Sequence, residues 1–268
     1  MAVIALQSSS SALNALNTRM DVIANNLANV NTAGFKASRA NFQDLVYVER
    51  AQPGVENANG DQRPTGLYVG LGVKVSGTQL DFAQGSPLTT GRPLDLMIEG
   101  DGFFQVQVED ELGGGVAFTR AGNFTLNSVG EMVLAIEQGR RLDPGITLDP
   151  DAVGVTIDST GRIFQRLPGD TEPQEAGQLE LATFVNPAGL VQVGENLYVE
   201  SAASGPPATG EPGTDNRGRL SQGTLESSNV DPTRELIDLI RTQRAFEMNS
   251  QVIRAADETL QSVSQLRR

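Results

Sequence analysis

Two heptad-spaced stripes, one near each end of the 268-residue chain, restrict its fold more than any other feature. Leu13, Leu16, Met20, Ile23, Leu27 and Val30 recur at alternating steps of three and four, with Leu6 one heptad earlier. Leu239, Thr242, Phe246, Asn249, Ile253, Ala256, Leu260 and Val263 repeat the pattern at the other end. Alternation of three and four is the 3.5-residue period of a helix presenting one seam to a partner helix. The second stripe has a start signal, since Asp231 fits an N-cap and Pro232 the first helical position. Each stripe predicts a helix of about 30 residues, roughly 45 Å long. Thr242 and Asn249 are polar seam positions, a composition that trades stability for register.

Between the stripes the sequence is punctuated by glycine. LDLMIE-GDG-FFQVQV (94–108), FTLN-SVG-EMVLA (124–135) and VTID-STG-RIFQ (155–165) each place a glycine turn between two apolar-alternating runs, which predicts hairpins. LELATFV (179–185) and ENLYVES (195–201) add strands, and GLYVGLGVKVSG (66–77) reads as strand with turn glycines. Two long Gly/Pro-rich stretches, 49–66 and 201–218, read as loops. The expected fold is therefore α+β, with long terminal α-helices forming a coiled-coil-like stalk and a central all-β domain of short hairpins. The expected division is 1–34 with 230–268 as the helical part, 35–80 as connecting segment, and 81–229 as the β-domain.

Composition removes most chemistry. Neither cysteine nor histidine is present, so thiolate nucleophiles, disulfides and the commonest general base and metal ligand are absent. Neither phosphate-binding glycine motif is present, and EGDGFF (99–104) lacks the rest of a calcium loop, so no cofactor, metal or catalytic residue is expected. A net charge of −13 disfavours nucleic acid. Residues 1–45 carry +1 and residues 230–268 carry zero, which leaves −14 on the middle. That distribution predicts a solvated centre and ends that meet other protein. The first twenty residues have no cation before Arg19 and no long apolar segment, so no cleavable signal is expected.

One stretch fits neither an ordinary helix nor a loop. ANNLANVNTAGFK (24–36) sets Asn25, Asn26, Asn29 and Asn31 around Leu27 and Val30, then Gly34 and Phe35. Gly34 suits a left-handed C-cap, which predicts a helix ending just before Phe35, with the asparagines bonding between copies of the chain. MDVIANNLANVNTAGFK (20–36) followed by FQDLVY (42–47) resembles the N-terminal signature of the flagellar axial proteins, the family of rod, hook and hook-junction subunits. GTLESSNVDPTRELIDLIRTQRAFEMNSQVIRAADETLQSV (223–263) is similar to that family's terminal helix. DLMIEGDGFFQV (95–106), FTRAGNF (118–124) and GENLYVES (194–201) extend the likeness through the middle.

Length and wording are closest to the rod members, with hook members as the alternative. So is the segment 47–66, carrying Tyr47, Pro53, Gly54, Pro64 and Gly66, which resembles a rod-type insertion implicated in straightness and stiffness. The resemblance implies a helical homopolymer forming a hollow shaft that transmits torque. It also implies assembly with other rod and hook proteins, passage through surrounding P- and L-ring proteins, and unfolded, signal-retaining export by the flagellar type III apparatus across the periplasm. No small-molecule substrate is implied. By their residues alone, the same stripes and strands also fit a monomeric β-domain on a two-helix stalk that binds a surface.

Overall fold

The computed structural model describes residues 2–55, 62–111, 113–169 and 172–266, with the side chains of residues 2, 3, 263, 264 and 266 left out. The fold is α+β and divides into two compact units. One comprises residues 1–28, 38–79 and 231–268, the other residues 29–37 and 80–230.

The first unit holds the helices α1 (Ala2–Ala28) and α2 (Pro232–Leu266) with the strands β1 (Ser38–Asp44), β2 (Tyr47–Ala51), β3 (Leu67–Gly70) and β4 (Val73–Leu80). The start of α2 is as its sequence predicts. Asp231 Oδ1 accepts from the Thr233 and Arg234 amides at 2.9 and 3.3 Å, satisfying donors that a helix start leaves open. α1 packs against α2, and Asn26 meets Glu235 while Arg19 meets Asp238, so the end of α1 lies beside the start of α2. β1 pairs with β4, and β2 with β3 in antiparallel register from Tyr47 opposite Gly70 to Ala51 opposite Leu67.

α1 differs from expectation at its end. It stops at Ala28, and residues 29–34 form turns. The Thr32 amide donates to Asn29 O at 3.1 Å and the Thr32 hydroxyl to Asn29 Oδ1 at 3.1 Å, so local bonding replaces the helical ladder. Val30 therefore leaves the seam. Gly34 is left-handed as predicted, at φ 72°, but six residues beyond the helix. The 49–66 loop is also shorter than read, because Glu49–Ala51 complete β2 and the Gly54 amide donates to Arg63 O at 2.8 Å, extending the hairpin arm. Residues 56–61 lie outside the described residues.

The second unit is built on a six-stranded antiparallel sheet. In order it runs β15 (Val191–Gly194), β16 (Leu197–Val199), β8 (Val116–Thr119), β7 (Phe103–Gln107), β14 (Leu181–Thr183) and β17 (Ala208–Gly210). Alternation along these strands feeds two cores. Phe104, Val106, Ala117, Leu181 and Leu197 join the main cluster, whereas Phe103, Phe118, Ala182 and Tyr198 form an aromatic cluster with Phe82 and Phe184. The rings meet edge-on, as at Phe118–Phe184 with centroids 4.8 Å apart.

Two predicted hairpins are present: β9 (Phe124–Leu126) with β10 (Met132–Leu134), and β11 (Gly154–Ile157) with β12 (Arg162–Arg166). β12 also pairs with β13 (Gln174–Gln178). The hairpin predicted over 94–108 is not one. β6 (Leu96–Glu99) pairs with β18 (Arg219–Gln222), and β7 with β8 and β14. Leu96, Met97 and Ile98 are nearly fully buried, as are Phe103 and Phe104, and both runs bury their two faces while β6 takes one partner strand, β18, and β7 takes two. β5 (Pro87–Thr89) pairs with β19 (Thr224–Glu226). β17 lies within the predicted 201–218 loop, at the edge of the sheet, where it pairs with β14 alone.

Candidate assembly surfaces and chain junction

The two stripes share one property, which is incomplete burial. On α1 only Ile23 of the predicted seam is buried, at 4% exposure, while Leu13, Leu16, Met20 and Leu27 are half-buried. On α2 the predicted seam is the covered face. Thr242 is buried, Leu239, Phe246, Asn249, Ile253 and Ala256 are half-buried, and Leu260 is exposed. The Val263 side chain lies outside the described residues. The polar seam residues bond to their own helix: Thr242 Oγ1 donates to Asp238 O at 2.7 Å and Asn249 Nδ2 to Ala245 O at 2.9 Å. Away from this seam α2 carries a second apolar set, Leu236, Ile237, Ile240, Met248 and Val252, with exposures of 44–60%. At 100° per residue these five spread over the face opposite the seam. Sequence reasoning missed this face, because a heptad search keeps one stripe and discards the rest.

Asn26 is the best-connected side chain of the motif. Its Nδ2 donates to Ser38 O at 2.8 Å and to Glu235 Oε1 at 3.1 Å, and its Oδ1 accepts from the Ser38 amide at 3.0 Å. One 2%-exposed amide thus ties α1 to the start of β1 and to α2. The expectation that the motif's asparagines bond only between copies fails here, since Asn26 is satisfied within the chain. Asn25 and Asn31 are exposed, and Asn29 is half-buried. Burial pushes the Glu235 carboxyl above its ordinary value, an effect that the Asn26 hydrogen bond partly opposes.

The serine run near the start of α1 has a similar use. The Val73 amide donates to Ser11 Oγ at 3.2 Å, and Ser8 Oγ to Gly70 O at 3.4 Å. Gly72, at φ 118°, lies so close to Ser11 Oγ that a Cβ there would be 2.1 Å away. α1 is thereby seated on the β3–β4 turn.

The arm formed by β2 and β3 is exposed. Tyr47, Val48, Leu67 and Tyr68 are 38–55% exposed, Pro53, Gly54 and Pro64 are exposed, and Gly66 is half-buried.

Gly34, Phe35 and Lys36 belong to the second unit, and all three are buried. The Gly34 amide donates to Glu226 O at 2.8 Å, and a Cβ at Gly34 would stand 2.5 Å from the Ala121 nitrogen. Lys36 Nζ, with no solvent exposure, donates to Glu226 Oε1 at 2.6 Å and to Ala83 O at 2.8 Å. Arg120 Nη1 lies 3.6 Å from Glu226 Oε2, with its guanidinium 5.2 Å from the Phe103 ring centre. Burial pushes the Lys36 ammonium, the Arg120 guanidinium and the Tyr198 phenol toward their neutral forms, with Glu226 opposing this at both cations. Sequence reading counted Lys36 only as a charge, because its partner is 190 residues away.

Sequence comparisons give the chain's relatives. Three family models match: "Flagella basal body rod protein" over residues 6–36, "Flagellar hook protein FlgE/F/G D1 domain" over 97–165, and "Flagellar basal body rod FlgEFG protein C-terminal" over 221–266. The chain is 44% identical to the flagellar basal-body rod protein FlgG of Caulobacter vibrioides, over 98% of this chain and 99% of that protein. It is 37% identical to FlgG of Bacillus subtilis over 98% of each. To the flagellar basal-body rod protein FlgF of Caulobacter vibrioides it is 35% identical, over 87% of this chain and 84% of that one.

Proposed function

The chain belongs to the flagellar basal-body rod protein family, and on that premise we propose that it is a structural subunit of the distal rod, polymerising helically into a hollow shaft that transmits torque from motor to hook. It is not an enzyme; its relatives are rod proteins, and it works with other rod and hook components in the basal body. The full-length likeness to FlgG, against a shorter match to FlgF, favours the distal rod over the proximal rod.

The observation that carries the assembly reading is the second apolar face of α2. Its five exposed apolar side chains sit on a helix already covered along its seam. Burial of a large side chain is worth about 1.5–3 kcal/mol, so a contact over this face supplies a strong drive to associate. A neighbouring copy that covers it head-to-tail, without closing a ring, propagates a filament. In this reading the two seams tighten into coiled-coil packing in the polymer, both helices line the channel, and Asn25 and Asn31 face neighbouring copies. The half-buried stripes of the single chain support further burial of both helices on assembly. Segment 47–66 then acts as an arm along the shaft and stiffens it. P- and L-ring contact and type III export without signal cleavage complete the proposal.

Light scattering and negative-stain imaging of the purified chain test this. Concentration-dependent tubes support it, and a strict monomer at high concentration favours a surface-binding module.

A further inference from the structure

Four points along the chain mark passage between the units: after residues 28, 37, 79 and 230. The second unit meets these passages with three segments, residues 29–37, 80–87 and 224–230. Three buried or half-buried side chains knit those segments together. Glu226, 1% exposed, accepts at Oε1 from Lys36 Nζ at 2.6 Å and from the Gly85 amide at 2.8 Å. Lys36 reaches on to Ala83 O, and Asn229 Oδ1 accepts from the Ala37 amide at 2.7 Å. Asn229 Nδ2 donates to Asp81 O at 2.8 Å and Ala83 O at 3.1 Å. Backbone bonds close the cluster, from the Gly34 amide to Glu226 O, the Asp81 amide to Ala37 O, and the Ser227 amide to Ser86 O. No space is left over, since a Cβ at Gly85 would stand 1.9 Å from Ser227 O.

A buried ion pair adds little net stability over apolar packing, yet it fixes register, because any slip leaves a charge unpaired. Here the pair joins the segment that follows α1 to the one that precedes α2. We propose that Lys36, Glu226 and Asn229 form a clamp through which the β-unit receives mechanical load, holding its three crossing segments as one body. This rests on the reading of the chain as a torque-transmitting subunit. The clamp makes the pull on any one segment a pull on all three, so a single strand does not peel away.

Force spectroscopy on the isolated full chain tests the clamp independently of polymerisation. The protein has no cysteine, so Ala28→Cys with Asp231→Cys gives two unique handles at the chain passages. Lys36→Met is expected to abolish the first high-force rupture. Leu148→Ala, in the main core and matched in thermal destabilisation, is expected to keep it. Equal rupture forces in the two variants would overturn the proposal.

Hydrogen exchange on the unsubstituted chain covers the case in which Lys36→Met does not fold. The amides of Gly34, Ala37, Asp81, Gly85 and Ser227 are expected to exchange as one cooperative group. Independent exchange of the three segments would also overturn the clamp. A chain that shows the clamp but never polymerises would instead refute the rod reading.

Discussion

Replacing Asn26 with alanine removes three hydrogen bonds at once, at 2.8, 3.1 and 3.0 Å, from a site with 2% exposure. Each bond is worth about 0.5–1.5 kcal/mol net, and the Ser38 amide and carbonyl, on a half-buried residue, lose their side-chain partner. The expected cost is about 2–4 kcal/mol. Helical circular dichroism during urea unfolding reads this, because α1 and α2, of 27 and 35 residues, dominate the signal. Exchange at the Ser38 amide reads it locally, and should accelerate together with the loss of global stability. Asn26→Asp is expected to cost at least as much, since it loses both donated bonds and sets a second carboxylate beside Glu235. A cost under about 0.5 kcal/mol, the range of an ordinary surface change, with unaltered Ser38 exchange, would show that Asn26 does not join these elements.

The pH dependence has a definite sign. Burial raises the folded Glu235 value above its ordinary 4.5, so the native state binds more protons in that window. Stability from this group therefore falls as pH rises from 4.5 through the raised value, and Glu235→Gln should flatten that part of a pH–stability profile. Gly34→Ala forces a side chain into φ 72° and to 2.5 Å from the Ala121 nitrogen, and should cost more than about 2 kcal/mol in denaturant unfolding. Ile240→Glu with Met248→Glu, at positions 50% and 60% exposed, should change monomer stability by less than about 1 kcal/mol yet abolish tube formation by light scattering. Replacing residues 52–65 with a short turn should leave the helical signal intact and give bent or flexible shafts on imaging; straight, stiff shafts would refute the role of the arm.

The sequence made legible what depends on local period and local turns. The α2 start rests on Pro232 and on Asp231, which caps amides two and three residues on, and the β9–β10 and β11–β12 hairpins rest on adjacent runs with one glycine turn each. What it hid was non-local. LDLMIE and FFQVQV look like a hairpin because their turn is adjacent, yet β6 takes its partner from residues 219–222. The ANNLANVNTAGFK stretch looks like a helix end because its apolar spacing continues to Val30. Instead the Asn29–Thr32 bonds stop the helix at Ala28, and Asn26 finds its second partner, Glu235, 209 residues away. Lys36 and Glu226 give no mutual signal in one sequence, since nothing in a lone lysine announces that it is buried. The family resemblance supplied the polymer, which neither periodicity nor composition could separate from a monomeric module.

A density map of the assembled polymer tests the central claim most directly. It is expected to show Leu236, Ile237, Ile240, Met248 and Val252 covered by helices of neighbouring copies, with α1 and α2 lining a central channel. The same five side chains facing solvent, or the helices lying on the outside of the shaft, would contradict it.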